Sequence, residues 1–172
     1  MVVKLIALDL DGTLLDEHKQ LTPRTHAALD AAAEQGIHIV PTTGRLYRAM
    51  PEVIRNMPYI RYAITMNGGQ IYDAHTDTVL HRDEIPLPLA MQVYEFLQRY
   101  PVAIDGYLNN QALMPRAMWE QLPSYITTDP VGLQYVTNLH TPVEDYFGLL
   151  QKEQLPLRHG VDGLILIMLV TA

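Results

Sequence analysis

The feature that most constrains this chain is a short apolar run that stops at two acidic residues. Residues 2–7 are mostly apolar or β-branched, which is typical of a strand buried in a parallel sheet. Asp9 and Asp11 follow, and because one residue separates them, their side chains point the same way if the strand persists. In open α/β sheets, ligands bind beyond the carboxyl ends of the strands. The sequence therefore predicts a strand that delivers two carboxylates to a ligand site.

Two carboxylates directed at one point repel each other unless a positive charge lies between them. A hard divalent cation with oxygen ligands meets this need, and Mg²⁺ with a phosphate substrate is the usual combination. The alternative is a solvated turn, because Asp and Gly are common where strands end. The complete run of residues 9–14, Asp-Leu-Asp-Gly-Thr-Leu, directly follows an apolar strand and favours the ligand site.

Residues 9–15 resemble the first motif of the haloacid dehalogenase (HAD) superfamily, and the wider pattern resembles its Cof-type, class IIB phosphatases. The resemblance implies that Asp9 is the nucleophile that becomes an aspartyl-phosphate. It implies that Asp11 is the general acid/base that protonates the leaving oxygen, a role that calls for a raised pKa. It also implies that Mg²⁺ is held by the carboxylate of Asp9 and the backbone carbonyl of Asp11.

A second motif follows the next predicted strand, residues 37–40. Thr43-Gly44-Arg45 resembles the HAD motif in which a hydroxyl and neighbouring backbone N–H groups bind the phosphoryl group, and such groups near a helix N-terminus form an anion site. Asn67-Gly68 ends a third predicted strand and resembles the turn that lines substrate sites in the family. An ordinary turn explains Asn67-Gly68 equally well. The candidate phosphate- or substrate-binding residues are Thr43, Gly44, Arg45, Asn67 and Gly68.

The first half of the chain alternates between strand and helix signals. Thr22-Pro23 is typical of an N-cap followed by the first helical residue, and Gly36 is typical of a helix end. Residues 70–72 and 79–81 predict a hairpin after the third strand. The β-α-β-α-β order predicts a right-handed parallel sheet with helices on its faces. We therefore expect an α/β fold, with part of a Rossmann-like HAD core over residues 1–84.

Residues 85–172 resemble an incomplete α+β cap domain of the C2 type. An apolar stripe predicts a helix that packs on the core of this domain, and Asn109-Asn110 predicts a hairpin turn. Residues 141–144, Thr-Pro-Val-Glu, form a capping-box pattern that predicts a helix from Thr141. Residues 164–170 predict a final strand. The stripe consists of Leu89, Val93, Phe96 and Leu97.

Two later HAD motifs have no counterpart in the sequence. One supplies a Lys that neutralises the nucleophile and phosphate, and the other is a Gly-Asp-x-x-Asn-Asp string that completes the Mg²⁺ shell. The three lysines are Lys4, Lys19 and Lys152, and none follows the cap where the family places its Lys. We therefore expect a truncated chain that is inactive or impaired. We also expect an exposed sheet edge, through which the chain forms a homo-oligomer.

Composition narrows the classes of partner. A formal net charge of -7 argues against a nucleic-acid surface. The absence of cysteine excludes disulfides and thiolate metal sites and is consistent with a reducing cytoplasm. We expect the protein in the cytoplasm, and the sequence predicts no signal peptide and no membrane span. The spacing of the seven histidines indicates no zinc site. Asp73 and Asp77 are interpreted as surface charge.

The leading functional hypothesis is a Mg²⁺-dependent phosphatase of small phosphorylated metabolites, such as sugar phosphates. One alternative is a phosphomutase or phosphotransferase of the same superfamily, which moves the phosphoryl group to a second acceptor instead of releasing it. Another is a folded fragment without catalytic activity that serves as an interaction module.

Overall fold

The computed structural model describes residues 2–100, 102–108, 111–128, 130–146, 148–149 and 163–169. These residues form two compact units, and the boundary between the units lies between Asp83 and Glu84. Each unit is built on a five-stranded sheet.

The sheet of the first unit follows the order of the chain, β1-β2-β3-β4-β5. The first three strands pair in parallel, and the last two add an antiparallel hairpin, which confirms the predicted α/β fold. β1 forms an edge, and Leu5 is 53% exposed there. Self-association through this edge stays a prediction. The strands are β1 (Leu5–Asp9), β2 (His38–Thr42), β3 (Tyr62–Thr65), β4 (Gln70–Asp73) and β5 (Thr78–Arg82).

The helix α1 (Pro23–Glu34) begins and ends where its sequence signals predict. The hydroxyl oxygen of Thr22 accepts a hydrogen bond from the N–H of Thr25 at 3.2 Å. Gly36 adopts a φ of +77°, and its N–H donates to the carbonyl of Ala33 at 2.9 Å. The short helix α2 (Glu52–Arg55) follows β2. The core of the unit includes the buried side chains of Leu10, Leu29, Ile39, Ile54, Met57 and Ile60.

The sheet of the second unit has the order β6-β10-β7-β8-β9, so strands distant in sequence become neighbours. The predicted hairpin is confirmed by the antiparallel pairing of β7 with β8, and the predicted final strand is β10. The turn at Asn109-Asn110 lies outside the described residues. The strands are β6 (Ile85–Pro86), β7 (Ala103–Leu108), β8 (Gln111–Pro115), β9 (His140–Val143) and β10 (Gly163–Leu169), and the helices are α3 (Leu87–Leu97), α4 (Arg116–Tyr125) and α5 (Pro130–Leu139).

The predicted apolar stripe of α3 is wrong for two of its residues. Leu89 is 50% and Phe96 is 51% exposed, whereas the buried residues of the helix are Leu87, Ala90 and Tyr94. Because apolar residues occur on both sides of this helix, periodicity alone does not identify the side that faces the core. Packing of the helix on the second unit makes that choice.

The helix start predicted at Thr141 is also wrong. Thr141 and Pro142 lie in β9, which pairs in parallel with β8 at the edge of the sheet. An edge strand tolerates a proline because the missing N–H removes no inner ladder bond. Asp145 caps the following turn instead, since its carboxylate accepts from the N–H of Gly148 at 2.7 Å.

The surface interpretation of Asp73 is wrong as well. Its side chain is 3% exposed, and the guanidinium of Arg61 lies 3.0 Å from its carboxylate. Asp77 is exposed and accepts a hydrogen bond from the hydroxyl of Tyr72. Among the described helices, none has the length and apolar character needed to cross a bilayer.

Candidate active site

The carboxyl ends of the first three strands meet at one cleft in the first unit. Asp9 ends β1, Thr43 directly follows β2, and Asn67 lies in the turn after β3. Parallel strands present these ends at the same edge of the sheet, so residues far apart in sequence become neighbours. The cleft has a volume of about 380 Å³ and is lined by Ala7, Asp9, Thr42, Thr43, Gly44 and Asn67.

The turn after β1 holds Asp9 at the mouth of this cleft. Gly12 adopts a φ of +79°, which a residue without Cβ reaches at little cost. The N–H of Leu15 donates to the carbonyl of Leu10 at 2.9 Å, and both of these side chains are buried. The hydroxyl of Thr13 donates to Oδ2 of Asp9 at 3.3 Å. The turn is therefore anchored in the core while the Asp9 carboxylate faces the cleft.

Thr43, Gly44 and Asn67 form a packed wall opposite this carboxylate. The N–H of Thr43 donates to the carbonyl of Ile64 at 2.9 Å, and the N–H of Asn67 donates to the carbonyl of Thr43 at 3.1 Å. Asn67 adopts the left-handed conformation with a φ of +55°, which Asn tolerates better than most residues. A Cβ on Gly44 would lie 2.7 Å from Oδ1 of Asn67, so glycine is what allows this close approach.

Asp11 lies beside the cleft and is held by two cations. Nε of Arg45 donates to its Oδ2 and Nη2 donates to its Oδ1, each at 2.8 Å, in the bidentate geometry typical of Arg–carboxylate pairs. Nζ of Lys19 lies 3.1 Å from Oδ1. These hydrogen bonds, that of Arg45 above all, hold the pKa of Asp11 below its usual value, and burial only partly opposes them. This direction is opposite to the raised pKa that the implied acid role calls for.

Sequence reasoning missed the part that Lys19 plays. Lys19 adopts a φ of +59° in a loop that Asp16 closes, because the Asp16 carboxylate accepts from the N–H groups of His18 at 2.9 Å and Gln20 at 2.8 Å. Asp16 was the available signal, since Asp side chains often close local turns in this way. Four of the residues predicted for the site line the cleft, namely Asp9, Thr43, Gly44 and Asn67. Asp11, Arg45 and Lys19 lie beside them. Gly68 does not line the cleft.

Comparison with known proteins shows the family to which this chain belongs. The sequence profile of the haloacid dehalogenase-like hydrolase family matches residues 6–147. The chain belongs to this family. It is 38% identical over 102 residues to pyridoxal phosphate phosphatase YbhA of Escherichia coli (strain K12). The aligned region covers 59% of this chain and 38% of that protein. The resemblance inferred from residues 9–15 is therefore confirmed.

Solved structures of the HAD-like family share the fold. A haloacid dehalogenase-like hydrolase from B. subtilis matches with a TM-score of 0.66 and 22% identity, covering 93% of this chain and 59% of that chain. A sugar phosphatase of HAD subclass IIB matches with a TM-score of 0.58 and 25% identity, covering 64% of this chain and 43% of that chain. This chain thus spans less than two thirds of the length of each of these three relatives.

The donor chemistry of the HAD-like site fits a hard cation. Asp9 offers carboxylate oxygens, which Mg²⁺ prefers, and Mg²⁺ usually takes only one or two carboxylates and keeps several waters. Both carboxylate oxygens of Asp11 accept hydrogen bonds from Arg45, and the family resemblance implies that its backbone carbonyl is the metal ligand. Within the described ranges, no three His, Cys, Asp or Glu side chains cluster as a metal site. The described residues would therefore supply only a few ligands to a bound Mg²⁺ ion.

Proposed function

We propose that this chain provides the nucleophile of a Mg²⁺-dependent phosphatase that hydrolyses phosphoric monoesters of small metabolites. The observation that carries the proposal is the cleft at the strand ends, where Asp9, Thr43 and Asn67 face the same space. A carboxylate nucleophile beside a hydroxyl and the Gly44 N–H supports the capture of a phosphoryl group.

In the proposed reaction, a carboxylate oxygen of Asp9 attacks phosphorus and forms an aspartyl-phosphate, while the bond to the leaving oxygen breaks. The Thr43 hydroxyl and the Gly44 N–H bind the phosphoryl oxygens. Asp11, which must take up a proton before this step, delivers it to the leaving oxygen. Water then hydrolyses the aspartyl-phosphate and releases inorganic phosphate. Asp9 and the backbone carbonyl of Asp11 would hold Mg²⁺, which when bound neutralises charge on the carboxylate and the phosphoryl group.

The class of substrate is proposed from two relatives whose names state theirs. One acts on pyridoxal phosphate and the other on sugar phosphates, and both substrates are small phosphoric monoesters. The open cleft of about 380 Å³ accommodates a phosphoryl group with part of such a metabolite. We place this activity in the cytoplasm, where phosphorylated metabolites occur.

The test measures phosphate release from pyridoxal phosphate, a hexose phosphate and p-nitrophenyl phosphate, with Mg²⁺ and with EDTA. Asp9→Asn should lower turnover by about a thousandfold or more, because the nucleophile is lost while the shape of the site is kept. Asp83→Asn serves as a matched control on an exposed carboxylate and should leave turnover unchanged.

Acid-quenched protein incubated with ³²P-labelled substrate should retain label on Asp9 in the wild type and lose it in Asp9→Asn. Turnover that survives Asp9→Asn, or a wild-type chain that neither releases phosphate nor retains label on Asp9, would contradict the proposal.

A further inference from the structure

The guanidinium of Arg45 binds the Asp11 carboxylate along one edge and a backbone carbonyl with its remaining nitrogen. Nε and Nη2 each donate to one carboxylate oxygen at 2.8 Å, and Nη1 donates to the backbone carbonyl of Ala49 at 3.2 Å. Such a parallel pair of hydrogen bonds determines the plane of a carboxylate as well as its distance. The Ala49 contact gives the guanidinium a third hydrogen bond, which opposes its rotation.

The backbone of Arg45 is held from both neighbouring strand ends. Its N–H donates to the hydroxyl oxygen of Thr43 at 3.2 Å, and its carbonyl accepts from the N–H of Met66 at 3.2 Å. The Arg45 side chain is 18% exposed, whereas that of Lys19 is 56% exposed. Of the two cations on Asp11, Arg45 is therefore the rigid one.

Arg45 does not line the cleft that contains Asp9, although its neighbours Thr43 and Gly44 do. We infer that Arg45 is a positioning residue, which fixes the carboxylate of Asp11 beside the cleft and does not bind the phosphoryl group. This inference rests on the proposed function, in which Asp11 handles the proton of the leaving oxygen. It also assigns Arg45 a different part from the substrate contact expected for it from the sequence.

The first experiment compares a poor and a good leaving group in Arg45→Ala. Proton delivery matters for an alkyl phosphate such as glycerol phosphate and hardly at all for 2,4-dinitrophenyl phosphate. Because a positioned acid/base contributes about 10²–10⁴-fold, we expect kcat for glycerol phosphate to fall about a hundredfold. We expect kcat for the dinitrophenyl ester and both KM values to change by less than about threefold, because uniform binding is kept.

Four further variants separate positioning from charge. Arg45→Lys keeps the charge without the bidentate geometry and should restore only part of the lost rate. Lys19→Ala, which removes the mobile cation, should cost less than Arg45→Ala. The double variant Arg45→Ala/Asp11→Asn should be no slower than Asp11→Asn, because the two residues act as one unit. Arg48→Ala, an exposed arginine of the same segment, is the control and should behave as wild type.

The second experiment needs no turnover and measures binding of inorganic phosphate to the chain by ³¹P NMR titration. Arg45→Ala should bind phosphate as the wild type does, and Thr43→Val should bind it more weakly. Equal kcat losses on both esters, or phosphate binding weakened about tenfold in Arg45→Ala, about 1.4 kcal/mol, would overturn the inference.

A wild-type chain that neither turns over nor retains label on Asp9 would refute the proposed function alone, and phosphate binding would then decide the part played by Arg45. Failure of the wild type to bind phosphate would overturn the inference too.

Discussion

The two sheets hold the hydrogen-bond partners of their carboxylates in different places. In the first unit, Asp11 meets Arg45 and Lys19 beyond the strand ends, and the Asp11 side chain is 34% exposed. In the second unit, Asp105 lies in β7 and His140 begins β9, and each side chain is 2% exposed. Nε2 of His140 lies 2.5 Å from Oδ2 of Asp105.

The surroundings of the buried pair leave it little freedom. Nδ1 of His140 lies 2.8 Å from the carbonyl of Val136, so both ring nitrogens face acceptors. Burial, with a further contribution from the Asp105 charge, raises the pKa of the Tyr107 hydroxyl, which keeps this neighbour neutral. Oδ1 of Asp105 has no hydrogen-bond partner in the described part of the chain.

The comparison shows why similar pairs serve different purposes. Charges at strand ends keep part of their hydration, so the loss of one partner costs only a modest free energy. A carboxylate inside a sheet loses its hydration, and removing its partner leaves it buried without compensation. The pair in the first unit is suited to a reaction, whereas the pair in the second unit holds β7 and β9 in one arrangement.

The largest effect that would test this comparison is expected from His140→Ala. Removing the ring leaves Asp105 buried without its partner, which should lower the free energy of unfolding by about 3–5 kcal/mol. Chemical denaturation followed by circular dichroism measures this loss. His81→Ala, at an exposed histidine of β5, is the control and should cost less than about 0.5 kcal/mol. A loss below about 1 kcal/mol in His140→Ala would mean that the buried pair does not stabilise the unit.

A smaller effect is expected from Ala112→Leu. Ala112 of β8 is fully buried and lies in register between Tyr107 and His140, so its small side chain leaves room for the ring to reach Asp105. The added volume should cost about 1–3 kcal/mol through overpacking. The cost should shrink in the His140→Ala background, because the larger side chain then fills the vacated space. Equal costs in both backgrounds would contradict this account.

The third prediction concerns a buried carboxylate of the first unit whose cation lies near the surface. The Arg61 guanidinium, more than any other group, holds the pKa of Asp73 below its ordinary value of 3.8. The ionised carboxylate therefore stabilises the fold above about pH 4, and this contribution is lost as the pH falls through the lowered pKa.

Arg61→Ala should accordingly destabilise the protein at pH 6 and have a smaller effect near pH 2.5. Urea midpoints of both proteins across this pH range measure the difference. A difference that does not change with pH would show that Arg61 acts through packing on Tyr62, over whose ring it lies at 4.9 Å, and not through its charge.

Much of the first unit could be predicted because its signals are local. The cap at Thr22, the glycine at Gly36 and the apolar runs of the parallel strands each depend on a few adjacent residues. The meeting of Asp9 with Thr43 was also predictable, since parallel strands bring their carboxyl ends to one edge. The pair of Asp11 with Arg45 was not, because the two residues are 34 positions apart and no pattern links them.

The second unit was harder to predict because its signals compete. Thr141-Pro142 is a good helix start by local rules, and pairing with β8 nevertheless makes it an edge strand. The helix α3 has apolar residues on two sides, of which only the side containing Leu87, Ala90 and Tyr94 is buried. The helix α5 was not predicted, and the buried contact between Asp105 and His140 follows no motif.

By itself, the sequence determined the strand that ends at Asp9, the turn that follows it and the family to which the chain belongs. These depend on backbone conformations that neighbouring residues set through sterics and local hydrogen bonds. Only the tertiary structure decided that Asp11 is paired with Arg45, that Asp73 is buried and that His140 reaches Asp105. Those contacts depend on which surfaces are buried against each other, and this is decided only when segments distant in sequence pack together.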